Sequence, residues 1–94
     1  MVQLKDAVTA ALRFVSDVFS EESPQNLRLE EVELAKGGHE WRVTVGFDRQ
    51  VERRGPTAAV LQTLQGPQFE RVYKVVRVDA GSGEPKAIVM RADA

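Results

Sequence analysis

Cysteine is absent from this 94-residue chain, and histidine, tryptophan and tyrosine each occur once. Without thiols there is no disulfide framework and no Cys-ligated zinc, so a small secreted scaffold is disfavoured and a reducing, cytoplasmic setting is expected. The one imidazole, His39, sits beside the turn "KGG". A Ser/His/Asp relay would therefore rest on a single loop residue with no placed partner, and a two-His metal motif is impossible. Nowhere do about 18 apolar residues run together, so no membrane-spanning helix is expected. The first residues, "MVQLKDAVTAALRFVSDVF", carry too much charge for the apolar region of a signal peptide. A charge excess is missing too: 13 Lys and Arg against 14 Asp and Glu leave −1. That balance lacks the attraction most nucleic-acid binders use for affinity.

What is present describes a self-folding domain. Hydrophobic residues make up 43% and charged residues 29% of the chain, the balance of soluble globular domains rather than of disordered segments. At this length one core is expected, and residues 1–94 read as a single domain. From Leu4 the apolar residues Leu4, Ala7, Val8, Ala11, Leu12, Val15, Val18 and Phe19 recur at helical spacing, with Lys5, Asp6, Thr9, Arg13, Ser16 and Asp17 opposite. This amphipathic helix should stop near Ser20, ahead of Pro24. Two antiparallel strands follow, "LRLEEVELA" and "HEWRVTVGFD", joined by the glycine-containing turn at Lys36, Gly37 and Gly38. In the second, Trp41, Val43, Val45 and Phe47 share one face, and Arg42, Thr44 and Gly46 the other.

An insertion, 49–67, interrupts the strands with two Gly-Pro steps and a short helix-compatible run from Ala58 to Leu64. The last two strands are "FERVYKVVRVDA" and "PKAIVMRA", around "GSGE". The fold expected is α+β: an N-terminal amphipathic helix packed across a four-stranded antiparallel meander sheet. In the final turn, Gly81 and Gly83 do not form a phosphate cradle, because such a loop must open a helix, whereas Pro85 and the β-prone "AIVM" come next. A tight reversal using positive φ accounts for them, and Gly83 is assigned a left-handed conformation.

The pattern "YKVVRVDAGSGEPKAIVM" resembles the terminal hairpin of PepSY-type domains, small helix-plus-meander units similar in outline to cystatin-like folds. The resemblance implies the same α+β fold and a binding or inhibitory role toward a peptidase or another bacterial partner. No inhibitory residue carries over: where cystatins have Gln-x-Val-x-Gly, this chain has "RVTVG" at Arg42 to Gly46.

Among residues with chemical potential, Glu31 and Glu33 share a strand face but read as a solvated acidic edge. Neither they nor Glu40 complete a metal motif with His39. Trp41 reads as core rather than as a stacking platform. No catalytic residue, cofactor or metal site is assigned. Arg49, Arg53 and Arg54 in "DRQVERR" are the candidate anion contacts, and Arg71, Lys74, Arg77, Lys86 and Arg91 could extend them. Interspersed acids favour a mixed-charge surface over nucleic acid. The last hairpin is apolar on both faces, and even-length loops would put Tyr73, Val75, Ile88 and Met90 under the helix, beside Trp41 and Val43. Val72, Val76, Val78, Ala87 and Val89 then face away. A cover from Val60, Leu61 and Leu64, or from a second copy in a homodimer, is expected for Val76, Val78 and Val89. The function expected is a non-catalytic protein-binding or regulatory module; the alternative is nucleic-acid binding through the arginine-rich insertion.

Overall fold

The computed structural model describes residues 1–51, 57, 60, 63, 64, 66 and 68–90. One helix, α1 (Leu4–Val18), is followed by a 3-10 turn (Ser20–Glu22) and by strands β1 (Gln25–Ala35), β2 (Glu40–Gln50), β3 (Phe69–Asp79) and β4 (Pro85–Met90). The strands form a single antiparallel sheet in the order β1-β2-β3-β4, and α1 packs against it. This is the α+β arrangement of a helix across a four-stranded meander that the hydrophobic pattern predicts.

The helix meets the sheet through its smallest residues. Ala7, Ala11 and Val15, one turn apart on one stripe, are fully buried, whereas Leu12 is only partly buried at the margin of the core. Small side chains let the helix axis approach the sheet closely, and the larger Leu12 and Phe14 pack along its flanks. Beneath lie Trp41, Val43, Val45 and Phe47 of β2 with Val76 and Val78 of β3, nearly all at 0% exposure. The chain is anchored at both ends of this contact. Before the helix, the Val2 N–H donates to the Ala80 carbonyl at 2.7 Å, and Trp41 Nε1 donates to the Val2 carbonyl at 3.4 Å. After it, the Phe19 ring sits 5.4 Å from that of Phe47. Helical hydrogen bonding ends at Phe19, whose N–H reaches Val15, and Ser23 turns the chain into β1 at φ 48°.

The expected face assignment is corrected for β3 and stands for β4. Trp41 pairs with Val78 and Val43 with Val76, so Val76 and Val78 lie under the helix, and Tyr73 and Val75 lie on the face away from it. The four-residue loop gives the expected parity at first: Asp79 N–H donates to the Glu84 carbonyl and Val78 stands opposite Pro85. A bulge at Lys86 then adds one residue, so that Arg77 pairs with Ala87, Val76 with Ile88 and Lys74 with Met90. One inserted residue moves every later side chain to the other face. The bulge thereby keeps Ile88 and Met90 on the helix side and Ala87 and Val89 on the far side, as expected, although β3 is turned over. Within the turn, Gly83 has φ 80° as expected, while Gly81 is not among the positive-φ glycines.

Candidate interaction surface

The face of the sheet away from α1, called the open face here, carries Arg42, Thr44, Gly46 and Asp48 on β2, with Phe69, Arg71, Tyr73, Val75 and Arg77 on β3. Ala87 and Val89 continue it on β4, and Glu31 and Glu33 on β1. It divides lengthwise. Toward β3 and β4 it exposes apolar side chains, Phe69 at 49%, Tyr73 at 37% and Val89 at 41%, with Arg71 set between Phe69 and Tyr73. Toward β1 it is polar and charged.

Its arginines are already bonded to carboxylates. Arg71 reaches Glu30 Oε1 at 2.8 Å through Nη2, and Asp48 Oδ1 at 3.2 Å and the Asn26 carbonyl at 2.8 Å through Nη1. Asn26 in turn donates to Asp48 Oδ2 at 2.8 Å. The Asn26 amide, and after it Arg71, hold the Asp48 carboxyl below its ordinary range. At the other end, Arg77 Nη2 lies 2.9 Å from Glu40 Oε1 and Arg42 Nε 3.5 Å from Glu40 Oε2. Glu40 is 1% exposed, a carboxylate that the two guanidinium groups cover from above. Its hydrogen bond raises the pKa of Arg77, which stays charged. Between the clusters Gly46 leaves a gap that Glu30 fills: a Cβ there would meet Glu30 Oε1 at 2.8 Å and Arg71 Nη2 at 2.9 Å.

The residues expected to contact anions or partners are distributed differently. Arg49 lies on the helix side, donating to Glu70 Oε1 at 2.6 Å and to Glu22 Oε1 at 3.3 Å. It lines an open groove of about 670 Å³ with Glu21, Glu22, Ser23, Gln50, Val51 and Glu70. Among the described lining residues three carboxylates surround Arg49, a poor setting for a phosphate. Arg53, Arg54 and Leu61 lie outside the described residues, as does Arg91. Val60 and Leu64 are 56% and 76% exposed. Val76 and Val78, fully buried beneath α1, cannot present an external surface; of that trio only Val89 is exposed.

Glu31 and Glu33 lie exposed at the sheet's edge, with Glu33 Oε1 3.9 Å from Arg42 Nη1. Trp41 is a core residue at 8% exposure. No group of three or more His, Cys, Asp or Glu among the described residues could hold a metal ion, and no described helix is long and apolar enough to cross a membrane. Sequence reasoning missed the buried role of Glu40 and the Glu30–Arg71 pair over Gly46. The signal available for the second was a glycine inside a strand, which often marks close approach by another group.

No protein-family profile, curated protein or solved structure matches this chain.

Proposed function

We propose that this chain is a non-catalytic protein-binding module whose binding surface is the β3 and β4 half of the open face, with its β4 border. One observation carries the proposal: Phe69, Tyr73 and Val89 are exposed on a sheet face that no helix covers among the described residues. Large apolar side chains exposed together on one face of a small domain mark an interaction site more often than an inert one. Charge favours a protein partner over nucleic acid, because Arg42, Arg71 and Arg77 would have to leave carboxylates to meet phosphates. The resemblance of the terminal hairpin to PepSY-type domains suggests regulation of a peptidase or another bacterial protein. A cytoplasmic setting belongs to the same proposal, supported by the lack of cysteine.

The test is affinity capture from host lysate with immobilised wild type, Tyr73→Lys and Phe69→Lys. A protein retained stoichiometrically by wild type and lost from both variants is the expected result. Equal retention by all three contradicts the surface. Salt-sensitive retention of the wild type on heparin or single-stranded DNA would favour the nucleic-acid alternative instead.

A further inference from the structure

We propose that the β4 border of this surface is occupied by a second copy of the chain, paired β4 to β4 antiparallel about a two-fold axis perpendicular to the sheet. The proposal builds on the reading of the open face and its border as a protein surface, and names the partner at the border.

The two edges of the sheet differ in the features that block strand addition. β1 has register irregularities between Gln25 and Arg28 and between Leu29 and Glu31, and it exposes Arg28, Glu30, Glu31 and Glu33. Bulges and charges of this kind protect an edge from pairing. On β4, Pro85 and the bulge at Lys86 guard only the first residues. From Ala87 to Met90 the ladder with β3 is regular and no side chain is charged. The same short segment exposes apolar groups on both faces of the sheet, Val89 at 41% on the open face and Met90 at 79% on the helix side. An edge left regular, uncharged and apolar is the one to which a strand adds.

Symmetry then selects the occupant and restricts the register. Directly opposed residues of an antiparallel pair share a face, so the axis must pass at Ala87, Ile88 or Val89. With Ile88 on the axis, Ala87 faces Val89 of the second copy and Lys86 faces its Met90. No like charges oppose each other, and the favourable apolar pair occurs twice. The two four-stranded sheets become one, with both α1 helices on the same side and the open faces continuous. The contrasting arrangement, β4 against the β1 of another copy, would set the apolar segment beside the bulged acidic strand. Being head-to-tail, it would also propagate rather than close.

Sedimentation equilibrium of the full chain at micromolar concentrations should give the dimer mass, and Met90→Lys and Val89→Lys should give folded monomers with unchanged far-ultraviolet circular dichroism. Met90 is so exposed that its variant keeps the test decisive even where Val89→Lys fails to fold. Because the chain has no cysteine, introduced thiols report proximity without background. Opposed Cα atoms about 4.5–5.5 Å apart fall within the span of a disulfide, so oxidation of an Ala87→Cys/Val89→Cys variant should trap a covalent dimer. Glu31→Cys/Glu33→Cys on the other edge should not. A wild type that stays monomeric, or equal cross-linking at the two edges, overturns the second copy. A monomer that still captures a host protein through Tyr73 would remove this proposal and leave the binding surface standing; a dimer that captures nothing would do the reverse.

Discussion

Val76 of β3 stands directly opposite Ile88 of β4, both on the side of the sheet that α1 covers. Val76 is fully buried there, between Val43 on one side and Ile88 on the other. Val76→Ala should therefore lower stability by about 2–3 kcal/mol, from two lost methyl groups and the cavity they leave. Val76→Asp should abolish cooperative unfolding, since it buries a carboxylate without a partner. Urea denaturation checks both. A Val76→Asp variant that remained folded would contradict the register.

The Gly46 gap predicts non-additivity. A glycine inside a strand is less favourable than alanine by roughly 0.5–1 kcal/mol, but here an added methyl would displace Glu30 and Arg71. Gly46→Ala should thus gain little or nothing in the wild type. In a Glu30→Ala background, where most of the obstruction is gone, the same change should stabilise by roughly 0.5–1 kcal/mol. Identical effects in the two backgrounds would show that Glu30 does not occupy the gap.

Much of the fold was legible in the sequence because single elements carry their own periodicity. The helical stripe ending at Phe19 and the alternation of Trp41, Val43, Val45 and Phe47 each specify one face of one element. The relation between elements was harder to read. β3 is apolar on both faces, and the connection from β2 to β3 is too long for a turn rule to choose between Val75 and Val76. The bulge at Lys86 has no marker in "EPKAIVM" beyond its proline. Part of the expected interaction surface was lost with the β3 register: Val76 and Val78 went inward and Tyr73 turned outward, while Val89 kept the face expected of it. Glu40 was illegible for another reason, since its burial depends on Arg42 and on Arg77, thirty-seven residues distant.

Gly83 couples the last turn to the chain's first residues. At φ 80° any side chain is strained, and a Cβ would lie 3.0 Å from Val2 Cγ1. Gly83→Ala should cost about 1–2 kcal/mol from the left-handed conformation alone, and more from the clash. Val2→Ala should relieve part of that extra loss. A double-mutant cycle measures the coupling, and strict additivity would argue against the contact.

Acid should destabilise the domain through two carboxylates. The Gly81 N–H, and after it the Ser82 hydroxyl, hold Asp79 below its ordinary pKa, as Asn26 and Arg71 do for Asp48. A group whose pKa is depressed on folding binds fewer protons in the native state, so its contribution is complete above the unfolded value of about 3.9. It is lost as pH falls through the lower native value. Urea midpoints should hold steady down to the neighbourhood of the unfolded value and then decline. Asp79→Asn and Asp48→Asn should each flatten that acid limb; a limb unchanged in both variants would assign acid sensitivity elsewhere.

The most direct test of the border as a protein surface is amide hydrogen exchange of the full chain across a range of protein concentrations. Exchange at Ala87 to Met90 should slow as concentration rises, while Glu31 to Ala35 on the opposite edge keeps its rates. Rates at β4 that do not depend on concentration would contradict the pairing of two copies along this strand.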